Sequence, residues 1–139
     1  MIFKQVFDKE SSTYTYLIAS AEGREALIID PVLENVEDYI KLLNQLNLKL
    51  VKVIDTHIHA DHVTGAGKLR DKTKCATIMG EHTPTDAVEI KVKDEEIIKL
   101  DQLKIKALYT PGHTSDSFSF LMDNYCLLYT SDAADETGR

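Results

Sequence analysis

Six consecutive positions, His57-Ile58-His59-Ala60-Asp61-His62, hold three of the chain's five histidines and an aspartate. On an extended backbone, side chains two apart leave from the same face, so His57 and His59 point together. Asp61 and His62 follow where the chain turns toward a helix, and can face the same volume. Imidazole and carboxylate together suit zinc, iron or manganese. A dense cluster on a loop between a strand and a helix is how a rigid scaffold presents such an ion. Without a cation to hold, packed imidazolium groups would disfavour burial. A fourth histidine, His113, lies 56 residues beyond His57 in Tyr109-Thr110-Pro111-Gly112-His113-Thr114. Pro-Gly makes a tight turn with positive φ available at glycine, which can swing His113 out of a strand end as a further ligand.

Other residues that could do chemistry give way to plainer readings. Gly65-Ala66-Gly67-Lys68 resembles a phosphate loop only superficially. It lacks the upstream glycine spacing and the Ser or Thr after lysine, so helix packing against the cluster explains it better. Cys75 has no adjacent basic partner and reads as a small core residue. His82 reads as a solvated surface histidine. Nothing fixes Ser115, Asp116 or Ser117 relative to His113, so a hydrolase triad is set aside.

The elements that must position the cluster come from the pattern around it. Thr13-Tyr14-Thr15-Tyr16-Leu17-Ile18-Ala19 is a β-branched and aromatic strand. Residues 21–24 form a turn, and Ala26-Leu27-Ile28-Ile29-Asp30 is a short apolar strand that Pro31 stops. A helix over about 35–47 follows, with Asn35 as N-cap and Glu37 and Asp38 in its first turn. Val36, Tyr39, Ile40, Leu43 and Leu46 give it one apolar face. Leu50-Val51-Lys52-Val53-Ile54-Asp55 is a strand running straight into the cluster. Residues 65–72 read as a short basic helix, 75–79 as a strand ended by Gly80, and 81–88 as loop. Residues 97–100, 103–108 and 118–122 alternate like half-buried strands. Strands mixed with helices, without heptads or repeats, make an α/β protein.

At 139 residues the chain is about one domain long, and no linker justifies two. Sixteen Lys and Arg against 23 Asp and Glu give a net charge of −7, which argues against nucleic-acid or anionic-membrane partners. No apolar run approaches the ~20 residues that span a bilayer. The N-terminus lacks a secretory or transit pattern. The two cysteines, Cys75 and Cys126, form neither metal spacing nor a disulfide framework, and a reducing, cytoplasmic setting is the simplest expectation. Oligomeric state is left open.

The pair His-x-His-x-Asp-His and Thr-Pro-Gly-His-Thr resembles the metallo-β-lactamase superfamily, whose members share an αββα sandwich with metal at the edge between two sheets. Within it the likeness is to persulfide dioxygenases, relatives of glyoxalase II. It extends through Phe7-Asp8, residues 11–17, Leu27-Ile28-Ile29-Asp30-Pro31-Val32-Leu33-Glu34 and Asp55 to Gly67, covering residues 2 to about 125. The resemblance implies the N-terminal portion of that sandwich, because a complete member is considerably longer. It also implies one Fe(II), held by His57, His113 and, if the register holds, Asp132. Such a two-histidine, one-carboxylate set leaves positions open for a persulfide and O₂. His59, Asp61 and His62 would hydrogen bond to those ligands or to bound water. In glyoxalase II the same cluster carries two zinc ions, with His59 joining the first and Asp61 and His62 helping to hold the second. The implied reaction is oxidation of glutathione persulfide by O₂ to glutathione and sulfite, a sulfide detoxification. The alternatives are a dinuclear zinc thioester hydrolase and an inert metal-binding fragment. Substrate-binding residues stay unknown.

Residues 126–136 back-translate into a string resembling the adapter of transposon-based sequencing libraries. The chain is therefore read as an incomplete domain over 1–125 with a doubtful tail over 126–139. Against this, Leu127-Leu128-Tyr129-Thr130 could be a strand, and Asp132 stands 19 residues after His113, as the family places its carboxylate. A chain stopped so early leaves apolar patches uncovered. Poor solubility and low activity are the expectation for this polypeptide as written.

Overall fold

The computed structural model describes residues 1–57, 65–83, 88–112, 115–122 and, as backbone only, 126–128. The chain runs β1 (Ile2–Asp8), β2 (Thr13–Ala19), β3 (Glu25–Ile29), α1 (Val36–Gln45), β4 (Lys49–Ile54), α2 (Ala66–Thr73) and β5 (Ala76–Gly80). It continues with β6 (Ile90–Val92), β7 (Ile97–Leu100), β8 (Leu103–Tyr109), β9 (Phe118–Met122) and β10 (Cys126–Leu128). Among the described residues these make a sheet of order β1-β2-β3-β4-β5-β6 and a second of order β10-β9-β8-β7. The first sheet begins as an antiparallel meander and becomes parallel from β3 to β6. The second is antiparallel throughout.

Period-two alternation sorts the side chains into two cores. Leu17, Ala26, Ile28 and Val53 face the helices and pack on Val36, Tyr39, Leu43, Leu69 and Cys75. Tyr16, Ile18, Leu27, Ile29 and Ile54 face the second sheet and pack on Leu100, Ile105, Phe118, Phe120 and Met122. The described layers are therefore helices, sheet, sheet; the outer helix layer of an αββα sandwich does not fall among them. No described helix is long and apolar enough to cross a membrane.

Several sequence expectations need correction. Asn35 precedes α1 but makes no side-chain cap. A 3₁₀ turn over Leu33–Asn35 leads into the helix, and the Asn35 amide instead donates to Asp8 Oδ1 at 3.0 Å. β1 and β6 were not read from the sequence as strands. Among the described glycines only Gly23 has positive φ, at 78°, so Gly112 turns without it. At the far end of the second sheet β10 pairs with β9, Cys126 opposite Met122, which leaves the reading of 126–139 as it stands.

The two sheets are clamped at the end where β2 turns into β3. Arg24 Nε and Nη2 donate to the two oxygens of Asp101, at 2.9 and 2.7 Å, and Ser20 Oγ donates at 2.9 Å. The bond from Arg24, then that from Ser20, lowers the Asp101 carboxyl from its ordinary 3.8 to about 2. A depressed carboxylate contributes stability that is fully present above its unfolded value and lost as pH falls through its folded one. The clamp is solvent-facing, so salt screens it. In low salt, Asp101→Asn is expected to flatten the acid-stability profile between about pH 4 and pH 2. Urea unfolding midpoints across that range check it, and parallel profiles for the two proteins would remove Asp101 from the account.

Candidate metal centre

The first histidine is set by a carboxylate at the end of the neighbouring strand. Asp30 directly follows β3 and takes φ 55°, a left-handed conformation that aspartate tolerates better than most residues. Its backbone is fixed on both sides. The amide donates to Ile54 O at 2.7 Å, and the carbonyl accepts from Thr15 Oγ1 at 2.7 Å. Tyr39 Oη stands 3.1 Å from that hydroxyl and accepts from Val32 N, so α1 braces the turn. Locked in this way, the Asp30 carboxylate accepts the Thr56 amide on Oδ1 at 2.7 Å and the Thr56 hydroxyl on Oδ2 at 2.6 Å. Asp30 is 1% exposed, Thr56 3% and His57 5%, so this network is shielded from water and its bonds are strong.

The network settles the histidine's tautomer. Thr56 Oγ1 carries one hydrogen, and the carboxylate takes it. The same oxygen lies 2.9 Å from His57 Nδ1, and can only accept there, so the proton sits on Nδ1. The ring's lone pair is then on Nε2. A neutral imidazole whose other nitrogen donates to a partner is the form that binds metal.

The second stretch is docked to the first through the backbone. Phe118 N donates to Thr56 O at 2.9 Å, which ties the start of β9 to the residue before His57. Tyr109 pairs with Phe118, and Thr110 N donates to Ser117 O at 3.0 Å. The loop after Pro111 and Gly112 therefore springs from a base bonded to the His57 strand end. Its far side is held by Thr83 Oγ1, which donates to Asp116 Oδ2 at 3.1 Å, and by Tyr109 Oη, which donates to Ser115 O at 2.6 Å. Asp116 and Ser117 are buried in this packing.

His59, Asp61, His62, His113 and Asp132 lie outside the described residues. Among the described residues no group of three metal-binding side chains gathers. What the structure brings together is His57 with its relay and the base of the His113 loop. The donor chemistry at His57 fits a metal. Asp30 and Thr56 were given no role from the sequence. The signal available was an aspartate ending one buried strand and a threonine placed just before the first histidine.

Other readings resolve at the same edge. Gly65 N donates to Pro31 O at 2.9 Å, and a Cβ at Gly65 would stand 2.8 Å from Val36. Glycine is there for close packing of α2, not for phosphate. Cys75 is buried and free, and burial pushes its thiol up, as suits a core residue. His82 is exposed but not merely solvated, since its ring stacks on Tyr109 with centroids 4.0 Å apart.

A model of the metallo-beta-lactamase superfamily matches residues 8–136. The chain is 34% identical over 134 residues to the mitochondrial persulfide dioxygenase ETHE1 of Bos taurus, covering 96% of this chain and 52% of that protein. A probable hydroxyacylglutathione hydrolase of Schizosaccharomyces pombe is 36% identical over 109 residues, 77% of this chain and 42% of its own length. The crystal structure of ETHE1 from Myxococcus xanthus superposes with a TM-score of 0.83 at 43% identity, over 88% of this chain and 54% of that one. The chain thus spans about half the length of the curated relatives it matches.

Proposed function

We propose that this chain, which belongs to the metallo-beta-lactamase superfamily, is part of an iron-dependent persulfide dioxygenase. The observation that carries the reading is its likeness along 96% of its length to a persulfide dioxygenase, joined to a histidine whose Nε2 is prepared as a ligand. His57, His113 and Asp132 would hold one Fe(II), with His59, Asp61 and His62 around them. When bound, ferrous iron supplies the redox chemistry between O₂ and the terminal sulfur. The balanced conversion is glutathione persulfide, O₂ and water to glutathione and sulfurous acid.

The chain's own contribution is placement. The Asp30–Thr56 relay keeps the proton on Nδ1 of His57 and orients its ring. The Thr56–Phe118 bond holds the start of β9 against the residue before His57. Two histidines and one carboxylate would hold the ion while keeping coordination positions for persulfide and O₂, so that both reactants would be oriented together. The hydrolase relative in S. pombe favours a second reading, in which two zinc ions occupy the enlarged cluster and a glutathione thioester is hydrolysed.

Metal analysis with two assays separates the readings. The dioxygenase reading expects one iron per chain, lost in His57→Ala and in His113→Ala, with O₂ uptake on glutathione persulfide. In this half-length chain the uptake is expected to be weak. Two zinc ions and hydrolysis of S-lactoylglutathione would establish the hydrolase, and iron binding unchanged in both alanine variants would end the case for either. The nucleotides that follow codon 125 decide whether Asp132 is the native carboxylate or belongs to a library-derived tail over 126–139.

A further inference from the structure

One short turn grips both ends of the stretch that carries His113. The turn follows β5, where Thr83 N donates to Gly80 O at 3.1 Å. It is tied to β6 twice: Glu81 N donates to Val92 O at 2.8 Å, and Lys91 Nζ donates to Thr83 O at 3.0 Å. From this turn the His82 ring stacks on Tyr109, at the near end of the stretch, with centroids 4.0 Å apart. The next residue reaches the far end, where the Thr83 hydroxyl donates to Asp116 Oδ2 at 3.1 Å. Tyr109 Oη then joins the two ends by donating to Ser115 O at 2.6 Å. Thr83 and Asp116 are each 3% exposed, and 33 residues separate them. Burying a carboxylate costs free energy that apolar packing would not. What its hydrogen bond adds is direction, because a satisfied buried pair specifies one arrangement.

We infer that His82 and Thr83 are positioning residues for the second metal ligand, a clasp from β5 that fixes both ends of the stretch around His113. The inference rests on the reading of His113 as a ligand. Donors to a metal must be held to within about 0.5 Å by side chains that are themselves locked. Neither Pro111 nor Gly112 carries a polar side chain that could do this from within the stretch. On the His57 side the work falls to the hydroxyl of Thr56 and the carboxylate of Asp30. Thr83 and Asp116 are a second pair of the same chemistry. The two pairs differ in reach: the Thr56 hydroxyl meets the imidazole itself, whereas Thr83 acts through the segment that Asp116 anchors. The His82 stack adds a restraint at the opposite end, so the stretch is pinned against sliding as well as tilting.

Nitrogen-15 correlation spectra of the histidine rings, recorded on the 139-residue chain with Zn(II) added, test the clasp. Thr83→Val keeps the side chain's shape and loses its hydroxyl. It is expected to move the His113 ring signals of the Zn(II)-loaded chain, leave those of His57 in place and weaken Zn(II) binding about tenfold. Thr83→Ser returns the hydroxyl and is expected to restore both quantities. A role confined to stability would lower the urea midpoint and leave the His113 signals where they were. If circular dichroism shows that Thr83→Val does not fold, His82→Ala decides from the exposed side of the turn. It should move the same signals, and His82→Phe, which keeps the stack, should not. His113 signals unmoved by the deciding variant, or moved equally by its conservative partner, would overturn the clasp and leave the metal centre standing. His113 signals that do not respond to Zn(II) in the wild type would instead overturn the metal-centre reading, and the clasp with it.

Discussion

Asp30→Asn is expected to keep the fold and to weaken metal binding at His57 about 10–100-fold. Asparagine tolerates the left-handed backbone that Asp30 occupies at φ 55°, and its carbonyl oxygen can still accept the Thr56 amide. Its amide nitrogen cannot accept the Thr56 hydroxyl; it donates to that oxygen instead. The hydroxyl hydrogen must then go to the nearest acceptor, His57 Nδ1, 2.9 Å away. That moves the ring proton to Nε2, where it blocks coordination, the wrong-tautomer effect familiar from serine-protease triads. Partners of this outer kind typically control metal affinity by about 10–100-fold. Titration calorimetry with Zn(II) or Fe(II) measures the loss, and nitrogen-15 correlation spectra of the His57 ring report the proton's position. An unshifted tautomer, or affinity equal to wild type, would show that the relay does not govern the ligand.

Gly80→Ala should be the most damaging small change in the described core. A Cβ at Gly80 would stand 2.1 and 2.2 Å from two atoms of the Phe118 ring. That ring is 1% exposed and packed between the sheets, so it has no open side to move into. Overpacking of this kind costs about 1–3 kcal/mol, occasionally more, and we expect the upper end, a melting point roughly 5–15 °C lower. The backbone of Phe118 also holds Thr56 O, so a displaced ring should loosen metal binding as well. Equilibrium urea unfolding gives the first quantity and calorimetry the second. A stability unchanged within error would mean that the sheets separate more easily than their packing implies.

These residues also mark how far the sequence could be read. β2, β3 and β4 were legible because their apolar residues alternate or run continuously between the two cores. α1 was legible because Val36, Tyr39 and Leu43 share a buried face. β1 was not, since most of its residues are exposed along the edge and leave no buried alternation, and β6 is only three residues long. The histidine cluster announced itself through local density. The Asp30 relay did not, because its partner lies 26 residues away and a lone aspartate before proline looks like any turn. Likewise, whether Asn35 capped its helix depended on Asp8, a competitor that only the folded chain brings near. The membership of the chain in its family agrees with both motifs and with the paired sheets.

The bond from Phe118 to Thr56 joins residues that belong to opposite sheets and are far apart in sequence. Contacts of that kind form late, after the loop-closing entropy has been met. The start of β9 and the end of β4 therefore cannot meet while either half is still a nascent hairpin. Closure of the sandwich then belongs to the last stage of maturation, and the rate at which the Phe118 amide becomes protected from hydrogen exchange becomes its clock.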